Sequence, residues 1–259
     1  MPKFAANLSL MFTELSFLER FAAARANGFD AVEFLFPYAY QPTVIANELE
    51  RHGLQLVLHN LPAGNWEAGD RGMACDPARV AEFEDSVALA LDYAAVLGVR
   101  QLHCLAGIRQ PDVAPELAHA TYVANLRFAA RRLAAAGLTL LIEPINTFDM
   151  PGYFLTGSAQ AAAIIAECAP EKVMLQFDLY HLQRMEGHLA QSIASCLPLI
   201  AHMQVADTPG RHEPLSGEID YRHLFSLIDQ LGYQGWIGCE YHPRGDTVAG
   251  LSWRTQLQA

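Results

Sequence analysis

The 259-residue chain is 52% apolar and only 17% charged, so it can bury a sizeable core and lies far from the composition of disordered sequences. Its 28 acidic residues outnumber 17 basic ones, giving a net charge of −11, and no Lys/Arg block is dense enough to track phosphates, which argues against nucleic acid as a partner. No run approaches the roughly 18 apolar residues of a membrane span. The five cysteines are odd in number, widely spaced and form no CxxC pair, a pattern that fits a reduced, cytoplasmic chain better than a disulfide framework or a zinc finger.

From the start, short β-like runs alternate with helical ones. The apolar stretch 3–12 is interrupted by Asn7 and Ser9 and reads as a first strand, 4–8, rather than a leader. A helix follows at 17–26, with Leu18, Phe21, Ala22 and Arg25 at helical spacing and Gly28 as its stop. The alternation continues with strand 31–34 and helix 44–51, strand 55–59 and helix 79–97, then strand 101–105 and helix 118–136. It ends with strands 139–143, 173–178, 200–205 and 236–240, each followed by a helix, at 158–168, 189–196, 221–231 and 247–253. Eight strands with eight crossovers and no linker predict one α/β domain over 1–259, a (β/α)8 TIM barrel. A dinucleotide-binding open sheet lacks its GxGxxG after the first strand, so no organic cofactor is expected. The longest connection, 61–77, carries Trp66 and Arg71 and has the length of a lid.

In such a barrel the chemistry sits where strands end. Glu143, Asp178 and Glu240 each close an apolar β run, and Gln204 lies near the end of another, so all four would project to one rim. Carboxylates brought together there repel one another unless a cation neutralises them. Oxygen donors of this kind suit Mg²⁺ or Mn²⁺. Among the histidines, His59 ends a strand and is expected at the pocket, where Glu33 could bond to it; His202 shares a strand face with Gln204 and could orient the site; His103 could serve either the core or the pocket. Arg71 and Arg211 lie in post-strand loops that could cradle a substrate carboxylate.

The stretches Ala5-Ala6-Asn7-Leu8-Ser9, Val32-Glu33-Phe34, Leu58-His59-Asn60-Leu61-Pro62-Ala63-Gly64, Ile142-Glu143-Pro144-Ile145-Asn146, Asp178-Leu179-Tyr180-His181, Gly217-Glu218-Ile219 and Gly238-Cys239-Glu240-Tyr241 resemble the hydroxypyruvate isomerase family over nearly the whole chain. Wider relatives are the ketose 3-epimerases and the endonuclease IV-like barrels. The resemblance implies interconversion of hydroxypyruvate and tartronate semialdehyde, with Glu143 and Glu240 as the acid/base pair and a metal held by Glu143, Asp178, Gln204 and Glu240. It also implies Asp149, His181 and Arg211 as substrate contacts. Gln204 stands where the epimerases place a metal-binding histidine, which speaks against a trinuclear zinc centre. A proton next to a carbonyl is too weakly acidic for a free carboxylate alone, and a metal acting as Lewis acid on a cis-enediolate would meet that need. The competing readings are a 2-oxo-tetronate isomerase, a ketose 3-epimerase, a DNA-repair nuclease and a non-catalytic sugar-acid-binding barrel. Substrate length, the physiological metal and a homo-oligomeric state are left open by the sequence.

Overall fold

In the computed structural model, which describes residues 2–257, eight parallel strands close into a barrel in sequence order, β1 pairing with both β2 and β8. The strands are β1 (Lys3–Asn7), β2 (Ala31–Glu33), β3 (Gln55–Asn60), β4 (Gln101–His103), β5 (Thr139–Ile142), β6 (Val173–Asp178), β7 (Ile200–Val205) and β8 (Trp236–Cys239). Eight helices follow the first seven strands: α1 (Glu19–Ala26), α2 (Pro42–His52), α3 (Val80–Leu97), α4 (Pro115–Ala135), α5 (Ser158–Cys168), α6 (Leu179–Met185) with α7 (Leu189–Cys196) after it, and α8 (Tyr221–Gln230). Two short helices, α9 (Thr247–Gly250) and α10 (Trp253–Gln256), replace the single last helix expected over 247–253, and α6 is an element the apolar pattern did not announce. No helix among the described residues is long and apolar enough to cross a membrane, and the five cysteines are buried and unpaired.

Side chains alternate along each strand, so Ala5 shares a face with Asn7, Ala31 with Glu33, Leu141 with Glu143 and Trp236 with Glu240. The lower members of these pairs belong to a small apolar cluster, Ala5, Ala31, Val57, Leu58 and Leu141, against which Met174 and Trp236 pack. The upper members are polar and buried. The barrel is therefore plugged by hydrocarbon towards its amino-terminal end and polar at the carboxyl end, where sites in this architecture form. The main core lies between strands and helices, with Phe21 of α1, Phe83 of α3, Leu126 of α4, Ile164 of α5 and Ile228 of α8 all buried in it.

Candidate active site

Glu143 and Glu240 stand one residue beyond β5 and β8, and Asp178 is the last residue of β6. Asp178 also caps α6: Oδ1 accepts from the Tyr180 backbone N–H at 2.8 Å, which explains why a helix starts there without a loop. The cap leaves Oδ2 buried without a hydrogen-bond partner, and Glu143 Oε1 is in the same state. Donor atoms of Glu143, Asp178, His181 and Glu240 all lie within 4.8 Å of one another, and every one of these residues is buried.

The electrostatics follow from that crowding. Burial, then the charges of Glu240 and Asp178, push the Glu143 carboxyl well above its ordinary range. Burial raises Glu240 to about 8 and Asp178 to about 6, with Arg211 opposing both shifts. Arg211 stays charged: burial works against it, but Glu240, Asp178 and Glu143 outweigh that and raise its pKa. Its Nη2 lies 2.6 Å from Glu240 Oε2 and 3.8 Å from Asp178 Oδ2. The loop holds Arg211 in the left-handed region, φ 53°, a strain on the order of 1 kcal/mol. It is kept there because His242 N–H donates to the Arg211 carbonyl and Asp207 N–H to that of His212, each at 2.8 Å.

Two buried carboxylate oxygens without partners, in a group of three carboxylates facing one guanidinium, fit a divalent cation. His181 is placed to donate rather than to ligate. Asn146 Oδ1 accepts from the backbone N–H groups of Phe148 and Asp149, so its Nδ2 is the atom that donates to His181 Nδ1 at 2.6 Å. The ring proton then sits on Nε2, 3.5 Å from Asp178 Oδ2 and 3.9 Å from Glu143 Oε1. Gln204 lies beside Asp178 in the β6–β7 register. Its Oε1 accepts from Gln176 at 2.6 Å and its Nε2 donates to Glu33 at 2.9 Å, so one oxygen lone pair remains for a cation.

Over the cluster opens a cavity of about 240 Å³ with Asn60, His103, Glu143, His181, Arg211 and Glu240 on its polar side and Leu35, Trp66, Leu105, Ile145 and Met150 on its apolar side. The 61–77 connection contributes Trp66, braced by Phe36 at 5.2 Å and by the Arg71 guanidinium 4.1 Å from its ring centre. Arg71 Nη1 donates to the carbonyls of Trp66 and Asp70, so its cation braces the indole and does not line the cavity. The loop is anchored: a bridge joins Gly72 to Ala106, and Cys75 N–H donates to the Ala106 carbonyl at 2.9 Å.

Asp149 is likewise committed to the protein, accepting from Asn146 (3.0 Å), Tyr180 (2.9 Å) and Arg184 (2.8 Å); it is not itself among the cavity-lining residues and is linked to them through Asn146 and His181. His59 stacks near Phe34, and its Nδ1 sits 3.1 Å from the Asn60 carbonyl; burial lowers its pKa to about 4, and it is not among the cavity-lining residues. Glu33 does not meet His59. Its carboxylate accepts from His202 at 2.6 Å and from Gln204 and Asn7 at 2.9 Å. Asn7 also donates to Glu240 Oε1 at 3.2 Å, a role that sequence reasoning missed although an amide ending an otherwise apolar strand was its visible sign.

The profile of the family described as xylose isomerase-like TIM barrel matches residues 21–257. The chain is 49% identical to a 2-oxo-tetronate isomerase of Cupriavidus necator, covering 98% of this chain and 97% of that protein. It is 47% identical to the hydroxypyruvate isomerase of Escherichia coli, covering 98% of each. A solved structure described as an AP endonuclease, family 2, from Brucella melitensis superposes with a TM-score of 0.96 at 47% identity over 99% of both chains. With close relatives bearing isomerase names along its whole length, this chain is an enzyme that belongs to the xylose isomerase-like TIM barrel family.

Proposed function

We propose that this enzyme interconverts hydroxypyruvate and tartronate semialdehyde by moving a proton between adjacent carbons, with Glu143 and Glu240 as its acid/base groups. The observation that carries the reading is the buried cluster of three carboxylates beneath a cavity sized for a small acid. Glu143, Asp178, Gln204 and Glu240 would hold Mg²⁺ or Mn²⁺, and the cation, when bound, supplies Lewis-acid stabilisation of the charge that develops on the substrate oxygens.

Glu143 Oε1 has no hydrogen-bond partner, so this carboxylate is free to take the carbon-bound proton. Glu240 is held at both oxygens, by Asn7 and Arg211, which fixes its direction for delivery to the neighbouring carbon. His181 Nε2–H offers a neutral donor to an oxygen of the enediolate as charge grows there. Arg211 supplies the positive charge for the substrate carboxylate, and Trp66, with Arg71 behind it, keeps water out. Charge and lining oppose a nuclease reading, since the chain carries −11 overall. The buried, unpaired cysteines favour a cytoplasmic setting.

The second reading is a 2-oxo-tetronate isomerase, favoured by the 49% identical relative of that name and by an apolar cavity side that can accommodate one more carbon. A panel of hydroxypyruvate, 2-oxo-tetronate and ketoses, run on chelator-stripped and Mg²⁺-restored enzyme, tests both. Turnover of a three- or four-carbon acid that returns with the metal is expected. Turnover of ketoses alone would overturn the reading.

A further inference from the structure

Glu143 stands between two buried imidazoles in opposite hydrogen-bonding states. His181 presents Nε2–H towards Oε1, because Asn146 donates to its other nitrogen. On the far side, His103 Nε2 lies 3.6 Å from Glu143 Oε2. His103 Nδ1 lies 3.2 Å from Asn60 Oδ1, and a carbonyl oxygen only accepts, so the ring proton is on Nδ1 and Nε2 carries a lone pair. The side chain ends β4 with 1% of its surface exposed, lines the cavity, and its Nε2 has no hydrogen-bond partner. With Glu143 ionised, as a bound cation would leave it, a lone pair facing its carboxylate is an unfavourable arrangement of two acceptors, and a hydroxyl hydrogen reaching into it from the cavity relieves the conflict.

We propose that His103 contacts the substrate, its Nε2 accepting the hydrogen bond of the hydroxyl on the carbon beside the carbonyl, while Asn60 fixes the tautomer. The proposal rests on the reading of the substrate as a hydroxy-keto acid and adds a specificity determinant to it. The site recognises a hydroxyl at that carbon, and an acid lacking it leaves the acceptor unpaired.

Calorimetry on the Mg²⁺-loaded enzyme with glycerate and with lactate, which lacks the terminal hydroxyl, reads this contact without turnover. Wild-type enzyme is expected to bind glycerate about tenfold or more tightly than lactate. In His103→Phe, which keeps a ring but removes its nitrogens, the ratio falls to within about twofold, and in His103→Gln, whose amide oxygen reaches a similar point, most of it returns. Where His103→Phe fails to fold, His103→Asn provides the same readout, since its shorter amide reaches Asn60 but not the cavity. A merely structural histidine would weaken both acids equally. Where the wild-type enzyme turns hydroxypyruvate over, a wild-type ratio near one, or a ratio that His103→Phe leaves unchanged, overturns the role of His103 and leaves the substrate reading standing; wild-type enzyme that neither turns hydroxypyruvate over nor binds either acid overturns both.

Discussion

Arg211 Nη2 lies 2.6 Å from Glu240 Oε2 and 3.8 Å from Asp178 Oδ2, so one guanidinium stands against two of the carboxylates that would share a cation. It offsets part of the negative charge of the cluster and would compete with a metal for the same oxygens. Arg211→Met is therefore expected to tighten Mg²⁺ binding, by about tenfold for one unit of lost opposing interaction, while raising KM because the substrate carboxylate loses its cation. Calorimetric Mg²⁺ titration alongside steady-state kinetics checks the two opposite movements; weaker metal binding would show that Arg211 supports the ligand geometry instead.

Glu143→Gln and Glu240→Gln should each lower kcat by about 10²–10⁴-fold, the usual contribution of a general acid or base. Each replaces a carboxyl that the metal-free enzyme holds protonated near neutral pH by a neutral amide of the same shape, so the metal-free melting temperature should hold or rise. Near-normal turnover in either variant would remove that residue from proton transfer.

The pKa shifts give the metal-free enzyme a bounded pH range. Glu240 keeps its proton in the fold up to about 8 against an ordinary 4.5, so the stability it contributes is full below about 4.5 and is lost as pH rises through 8. His59 acts at the other end: burial holds it near 4 against an ordinary 6.5, and its contribution, present above 6.5, is lost as pH falls through 4. Chelator-treated protein should melt highest between these limits, near pH 6. Mg²⁺ should raise the melting temperature more at pH 8 than at pH 6, because at the higher pH it displaces fewer protons. Thermal unfolding across pH with and without Mg²⁺ reads both effects, and an Mg²⁺ shift independent of pH would contradict the assignment.

Beneath the site, Glu33 accepts from Asn7, His202 and Gln204, and Gly238 leaves room for it: a Cβ there would come within 2.2 Å of Glu33 Oε1. Glu33→Ala strands three buried donors and should cost about 3–5 kcal/mol, the range for one broken partner of a buried charged network. Gly238→Ala should cost about 1–3 kcal/mol through overpacking. Denaturant unfolding measures both.

The barrel was legible because parallel strands buried on both faces read as short apolar runs, and their polar endings marked Glu143, Asp178 and Glu240. Boundaries drifted where the pattern continues past the last ladder bond: Leu105 and Glu143 extend their runs, yet β4 stops at His103 and β5 at Ile142. Helix α6 was hidden because Asp178 closes a strand and caps a helix in the same residue. The partners of Glu33 were not legible from spacing. His59 is near in sequence, but His202, 169 positions away, is the one that closure of the barrel brings to it. Arg71 was visible as a lid cation, whereas its stacking on Trp66 depends on how the loop folds back on itself.

Proton transfer between carbons is tested most directly by isomerisation in deuterated water. The enzyme with Trp66→Ala, which opens the apolar wall of the cavity, is the form to use, because a closed wall could return the same proton unexchanged. Deuterium is expected at the carbon that gains hydrogen, since a glutamic acid proton exchanges with solvent once water reaches it. An opened enzyme that remains active and incorporates no deuterium would contradict proton transfer by Glu143 and Glu240 and would point to a hydride shift between the two carbons.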